Sequence, residues 1–308
     1  MRPSSKTLIV AALALAVALL AAMPPDKHPT TSAPDIAYQQ SFDKWKAELV
    51  DDLKRNWLTL AGLFWLKPGP NTFGTDSKDD IVLPSGSTLA HAGTFELDKE
   101  VMVHFVPGVN ASIAGKPVMT AQLKPDVSGN PTVIELGGLR MHVIKRGDRT
   151  GIRVKDLNSD AVRKYPGPVF YPLNLDYRVT ATWVPSDGKK TVNVPNVLGD
   201  VTPTPVAGTA VFKFNGQELR LTDLGGDPTK GLFFVFNDLT AKTETYPGGR
   251  FLKTDPVANG TVVLDFNRAY NPPCSVTPYA TCPLAPKENR LAVAISAGEK
   301  YDRKAGHD

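Results

Sequence analysis

What this chain lacks narrows the field first. Its 308 residues include two cysteines and five histidines. The histidines (His28, His91, His104, His142 and His307) are scattered, and no H-E-x-x-H spacing offers a pair of zinc ligands. No G-x-S-x-G nucleophile elbow occurs. There is no phosphate-binding glycine loop and no dinucleotide fingerprint, so neither a metal nor a cofactor is expected. Charge of one sign is also missing. Lys and Arg number 35 against 31 Asp and Glu, and Arg2 and Lys6 sit in a targeting segment. Without a basic stripe, nucleic acid is not an expected partner. Internal repeats, heptads and extended low-complexity tracts are absent as well.

What is present points to a β protein. Apolar residues make up 42% and charged residues 21%, the balance of an ordinary globular chain. The 27 prolines and 25 glycines are spread along the sequence, as many short strands and turns require. The N-terminus reads as an export signal over 1–22, with Arg2 and Lys6 ahead of an apolar run from Leu8 to Ala22. That predicts a periplasmic or secreted protein. An uncleaved signal is the one route to a membrane, although its apolar run is short of the roughly 20 residues a span needs. A proline-rich linker covers 23–34. A helix follows over 35–56, with Ser32 and Asp35 at capping-box spacing. Phe42, Trp45, Leu49 and Leu53 form its apolar stripe.

From Trp57 the period changes to that of strands. A first β unit is expected over 57–150, a bridge over 151–168, a second β unit over 169–301 and a tail over 302–308. Gly137-Gly138 and Asn215-Gly216 mark tight hairpins. The expected fold is mainly β: two antiparallel units, sandwich or barrel in type, behind one amphipathic helix. Strands at 261–266 and 291–295 should flank a long loop with five prolines and both cysteines. A loop of that length in a compact domain tends to be either functional or disordered, and the apolar Tyr270, Val276, Tyr279 and Leu284 with few charges argue against disorder.

Three readings of this loop follow. In an exported chain, Cys274 and Cys282 are expected to form a disulfide, worth about 2.5 kcal/mol for so short a loop. The polar side chains around them, with Arg250 of the Tyr246–Phe251 turn, suggest a site for a small polar or anionic ligand. Its members would be Arg250, Asn267, Arg268, Tyr270, Asn271, Glu288 and Asn289, since Arg forks suit carboxylates and phosphates. Asp265 or Glu288 as general acid or base would instead make a hydrolase. The third reading is a structural or interaction module of the cell envelope, in which these polar groups brace loop backbone, because buried polar groups must be paired.

The stretch LDFNRAYNPPCSVTPYATCPLAPKENRLAVAISAGEKY closely resembles the signature of a bacterial family catalogued as domain of unknown function 1684. So do WLTLAGLFWLKPGPNTFGTDSKDDIVLP, YPLNLDYRVTATW and TETYPGGRFL, which spread the resemblance over 57–301. It implies an exported or envelope protein and no particular activity. The order of strand and turn signals over 57–150 also resembles a forkhead-associated domain. Here Thr75 stands where that family has its phosphothreonine-reading Arg, and Ser87 and His91 miss the spacing of its Ser-x-x-His.

Overall fold

The structure is a computed structural model that describes residues 35–301. The expected signal, linker and tail, with Ser32, His28 and His307, lie outside the described residues. Asp35, not Ser32, is the observed helix cap: its carboxylate accepts the Tyr38 N–H at 2.7 Å. Helix α1 (Ile36–Asp52) runs on into a wider turn, Leu53–Trp57, closed by Leu58 N–H to Leu53 O at 2.8 Å. The apolar stripe is covered by the second β unit, where Phe42 and Trp45 pack on Phe170 at 5.4 and 5.8 Å.

The first unit is a sandwich. Its strands are β1 (Leu60–Trp65), β2 (Gly69–Gly74), β3 (Ile81–Val82), β4 (Gly93–Leu97), β5 (Val101–Phe105), β6 (Ala111–Ile113), β7 (Lys116–Pro117), β8 (Thr120–Leu123), β9 (Ile134–Leu136), β10 (Leu139–Arg146) and β11 (Arg149–Asp156). They form two sheets, ordered β1-β11-β10-β9-β6-β7 and β3-β2-β4-β5-β8. Every pairing is antiparallel except β2 with β3. Alternate residues of both sheets meet in one apolar core that includes Phe73, Phe95, Ile134, Met141 and Ile152. Such alternation lets a strand bury one face and wet the other. The unit runs past 150, because β11 pairs with β1 as far as Lys155 and with β10 as far as Asp156.

After the short helix α2 (Asp160–Lys164) come β12 (Arg178–Pro185), β13 (Thr191–Pro195), β14 (Val201–Pro205), β15 (Gly208–Phe214), β16 (Gln217–Thr222), β17 (Phe233–Phe236), β18 (Arg250–Lys253) and β19 (Thr261–Asp265). They build a four-stranded sheet, β16-β15-β12-β19, and two separate pairs, β13-β14 and β17-β18. Asn215 and Gly216 both take positive φ between β15 and β16, as their tight hairpin needs. The strand expected at 291–295 does not form. Leu291 and Ile295 are buried, but this stretch is irregular and is tied to the protein mainly through single hydrogen bonds. It has the apolar content of a strand and lacks a neighbouring edge to pair with along its length.

The outer face of β10 and β11 rests on the cysteine loop. Arg146 donates to Thr281 Oγ1 at 3.1 Å, and Arg153 lies 3.5 Å from the Tyr279 carbonyl and over the Trp57 ring. Among the described residues no helix is long and apolar enough to cross a membrane.

Candidate functional site

Three of the expected ligand residues turn inward. Arg250 is 1% exposed. Its guanidinium bonds Asp238 at 2.6 Å, Ile295 O at 3.0 Å and Ala297 O, and it stacks over Phe236. Asp238 in turn accepts from Thr240 and from the Ile295 N–H. This buried ion pair holds the irregular stretch that fails to form a strand. Asn289, fully buried, joins β16 to β17: its amide donates to Thr222 O (2.8 Å) and Val235 O (3.1 Å) and accepts from Thr222 N–H (2.7 Å). Asn267 exchanges two hydrogen bonds with the backbone of Asn174, at 3.1 and 2.9 Å.

The others are dispersed. Asp265 accepts the Tyr38 hydroxyl at 2.9 and 3.0 Å and lies 3.5 Å from Arg268. Arg268 reaches Ser41 Oγ on α1 at 2.5 Å. Together they dock the helix. Tyr270 packs edge-on against Trp45 and Phe251. Glu288 is exposed in a groove with Thr191, Asn193 and Arg290, to which Asp265 does not contribute.

Asn271 belongs to a different place. It lines a cleft of about 680 Å³ between the 161–169 stretch and residues 299–301, together with Tyr165, Ser275, Val276, Glu299 and Tyr301. Three backbone hydrogen bonds define one side: Tyr171 N–H to Gly298 O, Lys300 N–H to Val169 O, and Glu299 N–H to Ala269 O. Gly298 is required there. Its φ is +81°, and a Cβ would meet Ala269 O at 2.6 Å and Phe266 O at 2.7 Å.

That tight passage buries Glu299, which is 5% exposed. Its Oε2 accepts the Asn271 N–H at 2.7 Å. Burial nevertheless dominates and pushes its carboxyl up to about 7, so it stays largely protonated in mildly acidic solution. Asn271 Nδ2 donates to Lys300 O at 2.9 Å, while its Oδ1, also buried, has no hydrogen-bond partner. The cationic residues at the cleft are already matched: Lys164 pairs with Asp160 at 3.0 Å, and Lys300 with Glu244 at 3.4 Å. Burial first, then the nearby Glu299 charge, raise the Tyr165 hydroxyl. Glu299, Tyr165 and Lys164 escaped sequence reasoning. The available signal was an acid placed directly after the glycine that closes an apolar run, LAVAISAGE.

The expected disulfide is not a bond of this structure. Cys274 and Cys282 are free thiols that hydrogen-bond to each other, and the Cys274 N–H lies 3.3 Å from Cys282 Sγ. Among the described residues no three His, Cys, Asp or Glu side chains are grouped to hold a metal.

No curated protein matches the sequence. Among solved structures, the uncharacterized protein from gene locus rrnAC0354 of Haloarcula marismortui is 29% identical, over 46% of this chain and 80% of that one, with a TM-score of 0.39. A structure from an analysis of phosphothreonine-dependent FHA domain interactions is 18% identical, over 30% of this chain and 92% of that one, at a TM-score of 0.22. The second β unit, with its cleft and cysteine loop, is where a family match falls: residues 163–300 match the family described as protein of unknown function (DUF1684).

Proposed function

We propose that this is an exported binding protein whose cleft takes a small ligand with an apolar body and a hydrogen-bond-donating head, such as a primary amine or an alcohol. One observation carries the reading. The partnerless acceptor Asn271 Oδ1 belongs to a residue that lines one side of a mostly apolar cleft, beside the buried Glu299. A buried acceptor without a donor costs about 1–3 kcal/mol, which a donating ligand would recover. An anionic head fits less well, because the lysines at the cleft are paired with carboxylates of the protein. Hydrolysis by Asp265 or Glu288 also has less support, since the first is engaged by Tyr38 and Arg268 and the second lies in another groove. A purely structural module would leave the cleft without an occupant.

Ligands stabilise the folded state by mass action, so thermal shift with three matched probes tests the proposal. Hexylamine or hexanol should raise the melting temperature of the wild type and have little effect on Asn271→Ala. Equal stabilisation by hexanoate, or a response unchanged in Asn271→Ala, would overturn it. Export is tested separately, by sequencing the N-terminus of the mature chain. It should begin near Met23, and an intact Met1 in the envelope fraction would count against a cleaved signal.

A further inference from the structure

The two thiols are unequal in their surroundings. Cys274 is half-buried, on a short turn whose next residues, Ser275 and Val276, line the cleft. Cys282 is 5% exposed, beneath it. The Tyr246 hydroxyl lies 3.4 Å from Cys274 Sγ, and the Cys274 N–H points at Cys282 Sγ. Arg153 adds a third element. It is 8% exposed, its Nε has no partner, and it is close enough to Cys282 for their charges to interact. Asp126 already gives this buried guanidinium one nearby negative charge, and a thiolate at Cys282 would give it a second.

We infer that Cys274 and Cys282 form a thiol–disulfide exchange site, in which Cys274 attacks a small-molecule disulfide and Cys282 resolves the product. This inference does not depend on what the cleft binds. The step balances as follows. The Cys274 thiolate attacks one sulfur of R–S–S–R, the S–S bond breaks and RS⁻ leaves, forming a mixed disulfide on Cys274. The Cys282 sulfur, on losing its proton, then attacks the Cys274 sulfur and expels the second RS⁻. The protons of the two protein thiols pass to the two released thiolates. The protein dithiol is oxidised by two electrons and the small disulfide is reduced. The order of attack follows from the surroundings. The hydrogen bond from Cys282, with that of Tyr246, holds Cys274 below the ordinary thiol range, while donation to Cys274 and burial push Cys282 up. Exchange rates depend on the thiolate fraction of the attacking group and on access, and both favour Cys274.

The test uses the full chain, reduced beforehand, with oxidised glutathione as the probe and intact mass and peptide mapping as readouts. Wild type should lose both free thiols and keep no adduct. Cys282→Ser should trap one glutathione on Cys274, and Cys274→Ser should remain unmodified. Equal trapping at either cysteine, or reaction only in denaturant, would overturn the inference. Should Cys282→Ser fail to fold, alkylation of the wild type decides. Iodoacetamide should label Cys274 roughly tenfold faster than Cys282. Equal labelling rates would overturn it.

Discussion

Among the described residues, the largest fully buried side chains of the first β unit are Phe73, Phe95, Ile81, Ile134, Leu139, Met141, Ile144 and Ile152; in the second unit the largest is Arg250. The first unit closes with regular ladders around hydrocarbon, and its buried amide, Asn71, braces the turn at Lys67 and Gly69 and reaches the Phe95 carbonyl. The second unit has long stretches without strand partners. There, buried polar side chains do what ladder hydrogen bonds do elsewhere. Arg250 with Asp238, Asn289 and Asn267 each bind two or more groups of distant backbone, and Asp223 ties its own turn at Gly226 to Phe233. Irregular backbone can be buried only when its polar groups are paired. A stretch such as 291–297 therefore depends on side chains in a way a β-strand does not.

This contrast can be broken by substitution. Arg250→Ala leaves Asp238 buried and unpaired and should cost about 3–5 kcal/mol in urea denaturation. Phe95→Ala in the first unit should cost a similar ~3–5 kcal/mol, through a cavity rather than an orphaned charge. The two mechanisms separate in the double variant Arg250→Met/Asp238→Leu, which removes the orphaned charge and should recover only part of the first loss, because the Thr240 and Ile295 N–H groups and the Ile295 and Ala297 carbonyls lose their partners. Full recovery would mean that the pair does not brace backbone.

The buried Glu299 gives the second unit a pH dependence. Below its ordinary value of 4.5 the carboxyl is protonated in folded and unfolded chains alike. Between 4.5 and about 7 the folded chain keeps a proton that the unfolded chain has lost. Stability should therefore fall as pH rises through this window and level off above it, by on the order of 3 kcal/mol. The Asn271 N–H, Arg250 and Lys46 work against the shift, so burial is its source. Glu299→Gln should flatten this part of the urea-midpoint profile against pH. An unchanged profile would place the titration elsewhere.

Asn289→Ala strands the Thr222 N–H and two carbonyls and should cost about 2 kcal/mol. Hydrogen exchange of β16 should rise more than that of β10. Smallest of all is Arg220→Ala. Its partner Glu218 is exposed on the same strand, so stability should change by less than about 0.5 kcal/mol. A larger loss would mean that surface charge, not the buried pairs, holds the second unit.

Much of the fold was legible in local pattern. The stripe through Phe42 and Trp45 marks α1, alternation from Tyr177 to Trp183 marks β12, and Gly137 and Asn215-Gly216 mark their hairpins. Alternation alone could not tell a strand from the buried irregular stretch at 291–295, because both need apolar side chains. At the candidate site, the residue types around the cysteines were read correctly as a dense polar set. Their division into braces and cleft residues was not visible. Arg250 and Asn271 differ less in sequence context than in which backbone each one faces.

By itself the sequence determined the β class, the leading helix, the tight turns and the closeness of two thiols in one loop. Each depends on neighbours a few residues apart. The tertiary structure alone decided that Arg250 and Asn289 serve the backbone, that burial raises the Glu299 carboxyl, and that Arg153 packs against the cysteine loop. Burial and electrostatic contact are made by segments far apart in the chain, and no local pattern carries that distance.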